Sequence, residues 1–148
     1  MAPQENGEKE KTPENSTMFQ GFEWNVPADA SHWKRLLKAL PGLHEIGISA
    51  VWLPPACKAS SNQGNGYDIY DLWDLGEFDQ KGGKGTKWGE KEELVELCKK
   101  AKELGVGIYW DAVLNHKAGA DEKETFQVVD VDENGKTVHF LRECKAVY

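Results

Sequence analysis

The chain has 148 residues, among them 15 glycines and six tryptophans, and carries 25 acidic against 18 basic side chains for a formal net charge of −7 at neutral pH. That length predicts one domain with a sizeable hydrophobic core. The acidic balance, without a block of lysines and arginines, excludes nucleic acid or an anionic membrane surface as the expected main partner, and no apolar run approaches the ~20 residues of a membrane span.

Residues 1–16 are polar and charged, bury too little to order themselves, and are predicted to be a disordered tail. No apolar stretch of a secretory signal is visible there, so a cytoplasmic location is expected. Order is predicted to begin with a short aromatic strand over Met18–Trp24, followed by Pro27, Asp29 and Ser31, of which the last two are candidate N-caps. Trp33, Leu36, Leu37 and Leu40 then fall on one face of an amphipathic helix. Pro41 is expected to disturb it and open a second short turn through Leu43 and Ile46, with Gly47 as the terminating glycine. Ile48–Leu53 is a nearly continuous apolar run closed by Pro54 and Pro55, the pattern of a strand covered on both faces. Residues 56–90 read as a long glycine-studded connection, a kind of loop that usually carries function. Leu94, Leu97, Cys98, Ala101 and Leu104 mark a second helix stopped by Gly105, and Val106–Trp110 is the third strand. Beyond it, Phe126 to Leu141 alternates around Asn134-Gly135, a strong hairpin signal.

Strand, helix, strand, loop, helix, strand amounts to two βαβ crossovers sharing a strand, which build a parallel sheet. A Gly-x-Gly-x-x-Gly turn is missing after the first strand, which argues against a dinucleotide-binding sheet. The expected class is therefore α/β, a partial (β/α)8 TIM barrel made of its first three strands; a closed barrel needs eight strands and about 250 residues. The predicted organisation is a tail over 1–16, barrel over 17–116, and a separate antiparallel excursion over 117–148. The three cysteines, Cys57, Cys98 and Cys144, predict neither a disulfide framework nor a zinc site.

Ligands of such barrels meet the loops at the C-terminal strand ends. Glu23, Trp24 and Asn25 follow the first strand; Tyr67, Asp68, Tyr70, Asp71, Trp73 and Asp74 lie in the loop after the second; Asp111, Asn115 and His116 follow the third. Asp111 and Asn115 alternate along an extended segment and are expected on one side, with His116 at the rim. A carboxylate, an amide and an imidazole gathered there suit a polyol or a hard cation. The alternative is an ion-paired Asp111 beside ordinary loop residues. Tyr67 either stacks on a sugar face or packs within its loop, and the six tryptophans either fill the core or provide platforms for flat rings. His32, His44 and His139 read as structural or solvated.

Five segments together carry a resemblance: Phe-Gln-Gly-Phe-Glu-Trp (19–24), His-Trp-Lys-Arg-Leu (32–36), Gly-Ile-Ser-Ala-Val-Trp-Leu-Pro-Pro-Ala (47–56), Gly-Tyr-Asp-Ile-Tyr-Asp-Leu-Trp-Asp-Leu-Gly-Glu-Phe (66–78) and Asp-Ala-Val-Leu-Asn-His-Lys-Ala-Gly-Ala-Asp (111–121). In order and spacing they resemble the α-amylase family, glycoside hydrolase family 13, most closely its liquefying bacterial-type branch with fungal intracellular members. The similarity runs from about Met18 to about Asp132. It implies an endo-acting α-1,4-glucan hydrolase whose substrates are starch, glycogen and maltooligosaccharides. It further implies that His116 and Tyr67 contact the sugar at the cleavage subsite, that Asp111 supports the site through an arginine of a later strand, and that Asn115 is a ligand of a structural Ca²⁺. The hairpin after the third strand resembles the start of the family's inserted domain B.

Retaining hydrolysis needs two carboxylates about 5–5.5 Å apart. In this family they follow later strands, and the 148 residues contain no Arg-x-Asp motif. No catalytic nucleophile or acid/base is therefore assigned here. The stretch from about Gly135 to Tyr148 carries no motif that places it. The chain as given is expected to be inactive alone. The alternatives are a non-catalytic glucan-binding or regulatory fragment, or a chain whose open sheet edges make it aggregate.

Overall fold

The structure, a computed structural model, describes residues 15–147; thus the expected tail lies almost wholly outside the described residues. Strand β1 (Met18–Gln20) leads to helix α1 (His32–Glu45), then β2 (Ala50–Leu53), a small pair β3 (Lys58–Ala59) and β4 (Ile69–Asp71), helix α2 (Lys91–Leu104), β5 (Gly107–Trp110), and a long hairpin β6 (Lys123–Val131) and β7 (Thr137–Val147). The three apolar runs form one parallel sheet in the order β1-β2-β5, with Gln20, Trp52 and Tyr109 in register across it. This is the predicted partial barrel.

Period-two alternation assigns the two sheet faces. Val51 and Leu53 are 1% and 2% exposed and point at the helices, where Trp33, Leu36 and Leu40 of α1 and Leu97 and Ala101 of α2 meet them with Trp88 and Val106. Each large side chain in this layer contributes about 1.5–3 kcal/mol by leaving water. On the opposite face Tyr109 is largely exposed, and β1 is exposed along its length. Among the described residues no helix is long and apolar enough to cross a membrane.

Local chemistry explains both helices, with one correction. In α2 the Glu90 and Glu93 side chains form a reciprocal capping box, and Gly105 ends the helix in the left-handed region at φ 71°. Helix α1 does not break at Pro41; it runs on to Glu45. Proline removes one donor, but the buried stripe of Trp33, Leu36 and Leu40 holds the helix against the sheet and outweighs that local cost. Ser31 takes the N-cap position without capping through its side chain; its backbone N–H goes instead to Asp29 Oδ1. The 56–90 connection is also more ordered than expected, because β3 and β4 pair antiparallel within it. The hairpin is longer than predicted, and Asp132 holds its turn by accepting from the N–H groups of Asn134 and Lys136.

His32 is buried at the start of α1, with Nε2 2.7 Å from the Gly21 carbonyl. A carbonyl can only accept, so the ring carries its proton on Nε2. Burial, opposed by that bond, holds the imidazole below its ordinary value of 6.5. The folded chain thus keeps His32 neutral where the unfolded chain begins to protonate it. The stability this contributes is present above 6.5 and lost as pH falls from there through the folded value. Thermal melts taken from neutral pH downward are expected to show a falling midpoint, with a shallower slope in His32→Gln. Equal slopes would reject the assignment.

Candidate functional site

The site forms where the C-terminal ends of the three parallel strands meet the loops that follow them. Trp24 comes from the loop after β1, Tyr67 from the loop between β3 and β4, and Asp111 directly from the end of β5. The Trp24 and Tyr67 rings stack with centroids 6.0 Å apart and planes 9° from parallel. The Tyr67 hydroxyl donates to Asp111 Oδ2 at 2.6 Å, and His116 Nε2 lies 2.8 Å from the Tyr67 carbonyl, which accepts its proton. Burial, then the Asp111 carboxylate, push the Tyr67 phenol up to about 12. The phenol stays a donor at any physiological pH, and the residue is held at its hydroxyl and at its backbone carbonyl.

Trp24 keeps 65% of its surface exposed. With Gln63, Gly64, Asn65, Tyr67, Asp68 and Ala118 it lines an open groove of about 390 Å³. A flat apolar ring face beside amide and carboxylate groups matches the two surfaces of a sugar, C–H on its faces and hydroxyls around its rim.

Three of the residues singled out in the sequence, Tyr67, Asp111 and His116, are therefore brought together. Asn115 is not. The alternation expected from Asp111 to Asn115 fails because β5 ends at Trp110, and a tight turn closes from the Leu114 N–H to the Ala112 carbonyl. The reason lies in the neighbour. Asp111 N–H bonds to the Leu53 carbonyl, but β2 continues into Pro54-Pro55, which has no N–H groups to extend the ladder. Asn115 is left exposed, without a hydrogen-bond partner among the described residues. Asp111 is half-buried on Tyr67, and no ion pair joins it among the described residues.

The remaining acidic candidates shape the loop. Asp68 receives the Ser60 hydroxyl and N–H; Asp71 receives the Trp73 N–H and the Gln80 amide; Asp74 is buried against Lys58. Glu23 turns back to accept the Asn25 N–H at 2.6 Å. Trp73 is 87% exposed and His44 is exposed on α1, whereas the side chain of His139 lies outside the described residues. Two groups escaped the sequence reading, Asn65 and Lys87. No signal in the sequence marked them, since a lysine between Thr86 and Trp88 in a glycine-bracketed loop reads as solvated.

The aromatic and carboxylate groups stand at the strand ends of a (β/α) barrel in its first three strands, and solved structures share that fold. Alternansucrase in complex with isomaltotriose matches with a TM-score of 0.69 at 20% identity, covering 89% of this chain and 13% of that one, a likeness of fold alone. The chain belongs to the α-amylase family, whose catalytic-domain model (Alpha amylase, catalytic domain) matches residues 11–145, so the match corrects the expected limit near Asp132 and takes in most of the stretch from Gly135 that no motif placed. An α-amylase of Bacillus licheniformis is 49% identical over 80% of this chain and 23% of its own length. The glucan 1,4-alpha-maltohexaosidase of Bacillus sp. (strain 707) is 46% identical over 82% and 24%. The cytoplasmic alpha-amylase of Escherichia coli (strain K12) is 45% identical over 88% and 27%. The chain thus spans about a quarter of the length of these relatives.

Proposed function

We propose that the chain is the glucan-gripping part of an endo-acting α-1,4-glucan hydrolase, and that its 148 residues by themselves bind but do not cut. The observation that carries this reading is the Trp24–Tyr67 stack, anchored by Asp111 and His116 at the rim of an open groove. Tyr67 and Trp24 offer ring faces to a glucose unit. His116 and Asp111 hold Tyr67 in place through its carbonyl and its hydroxyl. Family membership supports the substrate class, starch- and glycogen-type α-glucans. A place in the cytoplasm is part of the same reading, supported by the likeness to the Escherichia coli protein, and the β6–β7 hairpin is read as the start of domain B.

Calcium fits this chain poorly. The ion takes about six to eight oxygen ligands. Asn115 offers one exposed amide oxygen, and the described residues contain no group of three or more His, Cys, Asp or Glu side chains able to hold a metal. The family role of Asn115 as a calcium ligand would need oxygens from elsewhere, and no step is assigned to the ion.

Two measurements on the purified chain test the reading. Maltohexaose titration is expected to change tryptophan fluorescence in a saturable way, and Trp24→Leu is expected to abolish the change. Incubation with soluble starch is expected to release no reducing ends. An unresponsive chain would overturn the binding claim, and turnover lost in His116→Ala would overturn the claim that it cannot cut.

A further inference from the structure

Lys87 is a buried cation without a carboxylate. Its residue is 6% exposed, and no carboxylate among the described residues lies within ion-pair distance of it. Its Nζ donates to the Trp24 carbonyl at 3.1 Å and to Asn65 Oδ1, and lies 5.0 Å from the centroid of the Trp88 ring. The Asn65 amide closes the triangle, with Nδ2 pointing at the same Trp24 carbonyl from 3.5 Å. The backbone of Lys87 is itself fixed, since its carbonyl accepts the Ala30 N–H, and the neighbouring Trp88 indole donates to the Pro55 carbonyl.

An unpaired ammonium is expensive to desolvate, and a methionine would fill the same space without that cost. What the charge adds is two strong charge-assisted bonds to groups that no helix or strand holds. Trp24 lies in the loop after β1, and Asn65 lies two residues before Tyr67 in the loop between β3 and β4. Three chain segments therefore meet at one nitrogen, and two of them carry the halves of the aromatic stack. A largely exposed indole on an untethered loop would sample many rotamers; tying its carbonyl to Asn65 restricts the backbone that aims it.

We propose that Lys87 is a positioning residue of the carbohydrate site: its buried ammonium clips the Trp24 carbonyl to Asn65 and so sets the Trp24–Tyr67 platform before any ligand arrives. This rests on the glucan-binding reading for its functional consequence, but the positioning itself is readable without ligand.

The test compares the wild-type chain with Lys87→Met, Lys87→Arg, Asn65→Leu and Trp24→Leu. Stacked Trp and Tyr rings give a near-ultraviolet circular dichroism signal that Trp24→Leu identifies. In ligand-free Lys87→Met that signal is expected to vanish while the far-ultraviolet spectrum stays unchanged, and Lys87→Arg is expected to restore part of it. Maltohexaose affinity in Lys87→Met is expected to fall about tenfold or more, the scale of one lost charge-assisted bond. A retained near-ultraviolet signal in Lys87→Met would overturn the proposal. Should Lys87→Met fail to fold, Asn65→Leu decides: it removes the other half of the clip from a half-buried loop position, and an unchanged signal there is equally fatal. A wild-type chain that ignores maltohexaose would sink the glucan reading and leave the dichroism comparison to judge the clip.

Discussion

Replacing Lys58 with methionine is expected to destabilise the chain by about 3–5 kcal/mol, the cost of removing one partner from a buried charge pair. Lys58 lies on β3 with no exposed surface. Its ammonium donates to the carbonyls of Phe78, Gly83 and Gly85 at 3.1, 2.9 and 3.2 Å, also meets the Lys84 carbonyl, and stands 3.4 Å from Asp74 Oδ2. A single nitrogen therefore gathers the loop from Phe78 to Gly85 around itself. Methionine keeps the stem and loses the charge, so those carbonyls turn inward with nothing to accept and Asp74 stays ionised without its cation.

The Asp74 carboxylate is itself well supplied. Burial alone would push it up, but the N–H of Glu77, the Gln80 amide, the N–H of Gly76 and the Lys58 ammonium together hold it below its ordinary range. Asp74→Asn is accordingly expected to cost less than Lys58→Met. The double variant should lose less than the sum of the two, because the penalty of the orphaned charge disappears. Urea denaturation of the four proteins measures this cycle. A Lys58→Met loss below about 1 kcal/mol, the worth of a surface pair, would show that the ammonium is not part of the fold's support.

Gly66→Ala carries the second large effect, expected at about 3 kcal/mol from backbone strain and steric overlap combined. Gly66 has φ +91°, and a Cβ there would fall 2.5 Å from the Pro55 carbonyl oxygen and 2.7 Å from the Pro55 Cβ. Neither neighbour is a flexible chain end, so the backbone itself must move. Gly66 also stands between Asn65 and Tyr67. The same substitution is therefore expected to displace both the clip and the stack, lowering maltohexaose affinity in whatever fraction remains folded. Gly42→Ala is the control: it lies inside α1 with nothing within 4 Å of the added methyl. A helix-interior alanine there is expected to be neutral or stabilising by about 0.5–1 kcal/mol. Equal losses in the two variants would refute the geometric argument.

Much of this molecule was legible because its elements are local patterns. Trp33, Leu36 and Leu40 announced the buried face of α1, and Gly105 announced the end of α2. Two apolar runs separated by a helix announced parallel strands, since covered strands are apolar on both faces. The long motif matches pointed to the α-amylase family, and the family match bears that out. Pro41 misled, because a local breaking tendency was weighed without the sheet that holds the helix. The pairing of β3 with β4 was missed because Lys58-Ala59 and Ile69–Asp71 are too short for any periodicity to register.

At the site, Tyr67, Asp111 and His116 were chosen from residue type and position, but their mutual arrangement was not derivable. Asn115 shows why. Alternation along a strand holds only while a neighbour continues the ladder, and whether one does depends on Pro54 and Pro55, more than 50 residues earlier. Lys58 and Lys87 illustrate the same limit from the other side. In a sequence, a lysine in a glycine-rich loop reads as solvated.

The chain alone thus determined the order of the two helices and the three strands of the parallel sheet, and the family, all set by periodicity and by motifs contiguous in sequence. The tertiary structure alone decided which groups converge: Tyr67 on Asp111 across 44 residues, Lys87 on Trp24 across 63, and Lys58 inside its ring of carbonyls. Burial of a charge and the aim of a hydrogen bond depend on what surrounds a residue in space, and chain neighbours carry little of that information.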